Sequence, residues 1–204
     1  MAMTPKKIKQ ALDEIAARDA DVARALKQVG YPAPRKRPPG FATLIGIIAG
    51  QQVSSAAATA IRDRLTATVD PMTPEQFLAT DVDALRAAGL SGRKVEYGQG
   101  LAEEMCSGRL DARRLAKQSD EEVVAALTAI RGLGRWSAEI YMLFALKRAD
   151  VWPAEDLAVA EGLRKLKSLE NRPSRKESEP LIEHWRPWRG IAAMFLWHYY
   201  KGAP

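Results

Sequence analysis

Residues 130–139 read IRGLGRWSAE, in which two glycines flank a leucine directly before a helical run. A helix ending before Gly132 and another starting near Arg135 must be joined by a reversal of about three residues, which glycine permits through positive φ. The second helix then presents unpaired N–H groups at its positive dipole end. Because such amides suit a phosphate oxygen, the stretch predicts a helix-hairpin-helix over about 119–147 that grips a nucleic-acid backbone. The same glycine spacing also occurs in turns that only join two packed helices.

The rest of the chain also has the pattern of helices. Apolar residues recur at helical spacing over 5–29 and over 41–69, with a break expected near Gly50. Ser119 and Glu122 predict a capping box before the first hairpin helix, which we expect to run to Arg131. No segment alternates as a strand does, so the sequence predicts an all-α protein of roughly ten helices.

A segment with four prolines, 31–40, divides this helical chain near its start. We therefore expect two helical lobes around a DNA-binding cleft. Residues 31–150 would form the lobe that contains the hairpin, and 1–30 together with 151–204 would form the second lobe.

The charge and composition of the chain indicate what kind of partner it binds and exclude several kinds of metal site. The 204 residues include 31 Lys and Arg against 25 Asp and Glu, a formal charge of +6 with a pI near 9.5, which favours a polyanionic partner. One cysteine, Cys106, excludes an intramolecular disulfide and any four-cysteine metal site, and two histidines are too few for a histidine-based one. We expect Cys106 to be a small buried hydrophobe. No signal peptide or bilayer-length apolar run is present, so a cytoplasmic, nucleoid-associated protein is expected.

Four blocks of the sequence carry a family resemblance. Residues 127–166, LTAIRGLGRWSAEIYMLFALKRADVWPAEDLAVAEGLRKL, resemble the helix-hairpin-helix (HhH-GPD) DNA glycosylases, and most of all their alkylpurine branch, the 3-methyladenine DNA glycosylase II group. Residues 50–65, 87–102 and 184–200 match further blocks in the family's order. The chain is similar to the compact members, which lack an N-terminal β domain.

The resemblance implies a function in base-excision repair. Such an enzyme acts as a monomer without a cofactor on double-stranded DNA that contains damaged bases. It flips out an alkylated purine such as 3-methyladenine or 7-methylguanine and hydrolyses its N-glycosidic bond. The abasic site then passes to an AP endonuclease. Two alternatives stay open at this point: a non-catalytic helix-hairpin-helix DNA-binding module, and a glycosylase for deaminated or oxidised purines.

The resemblance also implies which residues carry the chemistry. Asp156 would be the catalytic carboxylate that stabilises a sugar cation, and it also fits a helix N-cap; Glu155 should face solvent. The base pocket would be lined by Trp136, Trp197, Gln51 and Ser54, because tryptophan faces attract a cationic base. Bifunctional relatives carry a lysine where Trp136 stands, so AP lyase activity is not expected.

A last group of residues would contact DNA. The amides of Gly132 and Gly134 would bind phosphate, with charge added by Arg135, Arg93 and Lys94. Gln52 matches the position that fills the gap left by the flipped base, although on pattern alone it is equally a glutamine on a helix surface. Relatives often hold a monovalent cation on hairpin carbonyls, here those of Thr128, Ile130 and Leu133.

Overall fold

The computed structural model describes residues 3–35 and 37–202. Within these residues the chain forms thirteen α-helices and one 3₁₀ turn and contains no strand, which confirms the all-α prediction. The helices are α1 (Pro5–Ala16), α2 (Ala20–Val29), α3 (Phe41–Gly50), α4 (Ser55–Thr68), α5 (Pro74–Ala79), α6 (Val82–Ala87), α7 (Gly92–Cys106), α8 (Ala112–Leu115), α9 (Asp120–Thr128), α10 (Arg135–Phe144), α11 (Leu157–Leu166), α12 (Arg175–Ile182) and α13 (Arg189–Gly202), with the 3₁₀ turn at Glu183–Trp185.

The helix ends follow local capping chemistry. The predicted break after Gly50 is confirmed, since α3 ends there and α4 begins at Ser55. Ser119 and Glu122 form the predicted capping box of α9. The expectation that this helix runs to Arg131 is wrong, because α9 ends at Thr128. Beyond it the chain tightens into three-residue turns, in which the Ile130 amide bonds to the Leu127 carbonyl at 3.1 Å.

The described chain divides into two compact units. One consists of residues 37–146 and is called the hairpin unit, because it contains α9 and α10. The other consists of 3–35 and 147–202 and is called the terminal unit. None of the described helices is long and apolar enough to cross a bilayer.

Each unit has one helix at the centre of its core. In the hairpin unit α3 is buried almost all round and packs against α4, α7 and α10. In the terminal unit α13 is buried from Gly190 to Trp197 and packs against α11. A helix that is apolar on every side must be enclosed by others. These two helices therefore hold α10, which begins with Arg135 and Trp136, and α11, which Asp156 caps.

The expectation for the cysteine is wrong. Cys106 is exposed, because it is the last residue of α7 and lies beside the solvated turn that closes this helix. Burial preferences of a residue type are averages, and a helix end overrides them.

Candidate active site

The turn between α9 and α10 needs glycine at one position. Gly132 has φ +93°, which side chains rarely tolerate, and a Cβ there would lie 2.2 Å from Cγ of Tyr97. Gly134 differs, because its φ is −91° and a Cβ would meet nothing within 4 Å. Gly134 is the N-cap of α10 and supplies no side-chain hydrogen bond to the first amides. The helix therefore begins without the usual side-chain acceptor for those donors.

Two predicted residues follow on the first turn of α10. Arg135 is about half exposed, and its Nε donates to Oε1 of Glu139 at 3.2 Å. Glu139 is itself buried, so it orients the arginine along the helix. Trp136 is half-buried. The guanidinium thus stays accessible at the helix N-terminus while one carboxylate holds its direction.

The segment 51–54, called the α3–α4 turn, carries three other predicted residues. Gln52 is exposed and has φ 56°, so it lies in a turn and not on a helix surface. A glutamine at positive φ is uncommon and marks a backbone held by its surroundings. Ser54 is exposed and caps α4, since its Oγ accepts from the Ala57 amide at 3.2 Å. Val53 between them is 39% exposed.

The side chains of Gln51 and Lys94 form hydrogen bonds within the hairpin unit. The Gln51 amide nitrogen donates to the Gly132 carbonyl at 2.8 Å and to Oγ of Ser137 at 3.2 Å. The Lys94 ammonium donates to the carbonyls of Ala49 and Gln51, both at 2.8 Å. Lys94 is half-buried, and this burial lowers its pKa. Neither role is visible in the sequence pattern, which suggested a pocket residue and a phosphate contact.

The hairpin carbonyls are the groups that would bind the expected monovalent cation. The Ile130 carbonyl accepts from the Leu133 amide at 3.0 Å, within the hairpin turn. A carbonyl oxygen has two lone pairs, so this bond still allows cation binding there. Thr128 ends α9. The described residues contain no His, Cys, Asp and Glu cluster able to hold a metal ion, and the cation on Thr128, Ile130 and Leu133 stays a prediction.

Asp156 in the terminal unit is a half-exposed N-cap. Its Oδ1 accepts from the amides of Ala158 and Val159, both at 3.0 Å, at the start of α11. The indole nitrogen of Trp197 on α13 donates to the same oxygen at 2.9 Å. Each of these three groups donates a hydrogen bond, and Oδ1 accepts all of them. The side chain is therefore held in one orientation by two different helices.

The neighbours of Asp156 are placed differently. Glu155 is exposed, as predicted, with its carboxylate 3.5 Å from the Arg175 guanidinium. Leu157 is 70% exposed on the first turn of α11. Trp197 is 9% exposed, and the Arg35 guanidinium lies 5.9 Å from its ring centre. Trp197 thus presents an indole N–H to the carboxylate in addition to the aromatic face that the sequence predicted.

A second aspartate cap in the terminal unit was missed by the sequence reasoning. Asp19 caps α2, and its carboxylate accepts from Trp185 at 2.7 Å, from Lys167 at 2.7 Å and contacts His184 at 2.8 Å. Burial alone would raise its pKa, but these hydrogen bonds outweigh burial and lower the pKa from 3.8 to about 2. The residues DADV at 19–22 have a capping pattern, so the cap itself was recognisable; its partners were not.

With this geometry described, known proteins provide the comparison. The family described as HhH-GPD superfamily base excision DNA repair protein matches residues 45–187. The chain belongs to this superfamily. The match includes the hairpin, the α3–α4 turn and Asp156, and it ends before Trp197.

Individual relatives are similar over most of the chain. DNA-3-methyladenine glycosylase 1 of Schizosaccharomyces pombe is 35% identical over 88% of this chain and 82% of its own length. Alkylbase DNA glycosidase-like protein mag2 of the same organism is 29% identical over 93% of this chain and 92% of its own. Among solved structures, the S. pombe 3-methyladenine DNA glycosylase Mag1 in complex with abasic DNA superposes with a TM-score of 0.87 at 33% identity, covering 92% of this chain and 95% of that one. The DNA-3-methyladenine glycosidase of Bacillus halodurans superposes with a TM-score of 0.77 at 33% identity, over 92% and 87%.

Proposed function

We propose that this protein is a monofunctional DNA glycosylase of base-excision repair. It flips an alkylated purine, such as 3-methyladenine or 7-methylguanine, out of double-stranded DNA and hydrolyses the N-glycosidic bond. The observation that carries the proposal is the carboxylate of Asp156, held by two backbone amides and one indole N–H at 2.9–3.0 Å. The relatives named for 3-methyladenine excision support the substrate class.

The carboxylate suits the bond that must break. When the base leaves with the bonding electrons, positive charge develops on the deoxyribose. A preorientated negative group at that point lowers the barrier, because it need not reorganise as the charge appears. The hydrogen bonds to Oδ1 prevent Asp156 from rotating away, and its half-exposed position allows approach of a sugar. Water then adds to the sugar and leaves an abasic site.

The tryptophans suit the leaving group. Alkylation at N3 or N7 makes a purine cationic, and a cation is attracted to the face of an indole ring. Trp136 is half-buried, whereas Trp197 is only 9% exposed and has the Arg35 guanidinium 5.9 Å from its ring centre. We propose that the ring faces of Trp136 and Trp197 attract the damaged base and that the Ser54 hydroxyl contacts it. Since the base already carries a positive charge, it needs little protonation to leave.

The hairpin suits the backbone of the DNA. The first amides of α10 follow the N-cap Gly134, which has no side chain to bond them, and lie beside the exposed Arg135. Amides at a helix N-terminus bind phosphate without reading the base. We propose that Gly132, Gly134 and Arg135, with the exposed Arg93, hold the strand, and that Gln52 fills the gap left by the base.

The residue at the position of the lyase lysine determines which product the enzyme leaves. A lyase needs an amine that attacks the sugar and forms a Schiff base, and the position that holds this lysine in bifunctional relatives is Trp136. The product is therefore an intact strand with an abasic site, to be processed by an AP endonuclease. We place the activity in the cytoplasm, on nucleoid DNA, and expect a monomer.

The test is to identify released bases by mass. Wild-type protein is incubated with methylated DNA and, separately, with duplexes that carry hypoxanthine or 8-oxoguanine; protein with Asp156→Asn serves as the background. Release of methylated purines by the wild type alone is expected. Release only of deaminated or oxidised bases would overturn the substrate class, and salt-dependent DNA binding without any released base would indicate a binding module. Borohydride trapping of a covalent complex would overturn the monofunctional assignment.

A further inference from the structure

The α3–α4 turn, the hairpin and the start of α7 are joined by one set of polar and packing contacts. The turn exposes Gln52 and Val53, and the start of α10 exposes Gly134 and Arg135. Between these two exposed parts lie side chains that face inward and bond to backbone carbonyls. We propose that Gln51 and Lys94 are positioning residues, which hold the α3–α4 turn at a set distance from the hairpin so that gripping the strand and inserting Gln52 are coupled. This inference rests on the proposed function.

The first connection runs from the turn to the hairpin. Both amide hydrogens of Gln51 are used, one on the Gly132 carbonyl and the other on the hydroxyl of Ser137. Ser137 is 1% exposed and belongs to α10. Gln51 therefore bonds both to the hairpin turn and to the helix that follows it. These two bonds fix the α3–α4 turn relative to both parts of the hairpin.

The second connection runs from α7 to the turn. The Lys94 ammonium bonds to the carbonyls of Ala49 and Gln51 at the end of α3, where the helix leaves its last carbonyls without amide partners. A cation is also favoured at this negative end of the helix dipole. The residue after Gln51 is Gln52, with its φ of 56°. Lys94 thus holds the backbone immediately before the strained residue.

The third connection runs from α7 to the hairpin. Tyr97 lies three residues after Lys94, on the same face of α7, and its ring lies where a Cβ of Gly132 would be. The three contacts form a closed triangle of turn, hairpin and α7. A triangle of this kind resists relative movement of its corners, whereas a single hydrogen bond would allow the turn to pivot.

The experiment separates insertion from grip and from chemistry. Lys94→Met and Gln51→Met replace the polar groups with an unbranched apolar side chain of similar length, and Lys94→Arg restores a cation. Single-turnover release of 7-methylguanine is measured from a matched duplex and from a three-nucleotide bulge, in which the base is already unpaired. Arg93→Met is the matched control, because it removes the neighbouring but exposed positive charge. Unstacking is followed separately by the fluorescence of 2-aminopurine placed next to a stable abasic-site analogue.

The inference predicts a selective loss. Lys94→Met and Gln51→Met should lower release from the duplex about tenfold, the effect of losing charged or paired hydrogen bonds, and release from the bulge only about twofold. Both should reduce 2-aminopurine unstacking, and Lys94→Arg should recover most of it. Arg93→Met should weaken binding equally for both substrates and reduce its salt dependence.

Three results would overturn the inference: equal losses on duplex and bulge, a loss of affinity for undamaged duplex like that of Arg93→Met, or no change at all. If the wild type releases no base, the proposed function fails instead. In that case the unstacking signal still decides the inference, which stands if the signal depends on Lys94 and falls if it does not.

Discussion

The terminal unit contains two aspartates with the same kinds of hydrogen-bond partner, and the two side chains differ in how deeply they are buried. Asp19 and Asp156 both cap a helix, and both accept a hydrogen bond from a tryptophan indole on a distant segment. Asp19 is 5% exposed and receives the Lys167 ammonium on both carboxylate oxygens. Asp156 is half-exposed.

The comparison separates a structural carboxylate from a candidate catalytic one. A buried carboxylate needs a cation and several hydrogen-bond donors to offset its desolvation. Asp19 has both, so its negative charge is balanced by groups of the protein itself. A half-exposed carboxylate held by amides and an indole can still direct its charge at a substrate. Capping geometry alone therefore does not distinguish the two aspartates; their exposure and the identity of their partners do.

The largest expected effect concerns the charge of Asp156. Asparagine caps a helix as well as aspartate does, so Asp156→Asn should leave the melting temperature nearly unchanged. It should slow base release by about 10²–10³-fold, the usual cost of removing a preorientated electrostatic group. Single-turnover release of 7-methylguanine and thermal melting measure the two effects. Near-normal release would show that Asp156 only caps α11.

Asp19→Asn should give the opposite result. The substitution leaves the Lys167 ammonium, which is 14% exposed, with only the Asp21 carboxylate at 3.0 Å as counter-charge. Breaking a buried pair typically costs about 3 kcal/mol, and the remaining Asp21 should reduce that loss to about 2 kcal/mol. Urea unfolding should show this loss, while the folded fraction keeps its rate of base release. A variant that stays stable but inactive would place Asp19 in the chemistry and remove the contrast between the two caps.

Acid should affect Asp19 through its lowered pKa. A carboxylate with a pKa of about 2 in the folded protein and 3.8 ordinarily stabilises the fold above pH about 4, and this stabilisation is lost as the pH falls toward 2. The difference amounts to about 2 kcal/mol. It should appear as the pH-dependent part of the gap between wild type and Asp19→Asn in denaturant titrations from pH 6 to pH 2. A gap that does not narrow in acid would contradict the ion-pair account.

The smallest expected effects come from the two tryptophans. Trp197→Phe keeps an aromatic ring but removes the N–H that holds Asp156, so base release should fall about tenfold with little loss of stability. Trp185→Phe removes the corresponding N–H from buried Asp19 and should cost about 1.5–2 kcal/mol of stability without slowing release by the folded protein. Single-turnover base release and urea unfolding of both variants test these expectations. Slower base release in Trp185→Phe alone would indicate that Asp19, and not Asp156, takes part in the reaction.

Local patterns were enough to predict the elements that carry the site. Helical periodicity, the capping pair Ser119 and Glu122, and the glycines at 132 and 134 act over a few residues, so the all-α fold and the helix-hairpin-helix follow from the sequence alone. The position of Asp156 at the start of a helix is also local. The proposal that it is catalytic rests on the family resemblance, because Asp19 has an equally good capping pattern.

Only the tertiary structure decided which partners those residues have. Trp197 is 41 residues from Asp156, Trp185 is 166 residues from Asp19, and Lys94 is 43 residues from the Gln51 carbonyl that it bonds. Such pairs depend on how helices pack, because a side chain on one helix has many potential partners until neighbouring helices exclude all but one. The sequence by itself thus determined which segments are helical and which residues cap their starts. The packing of those helices decided which aspartate is paired with a buried cation and which remains partly exposed.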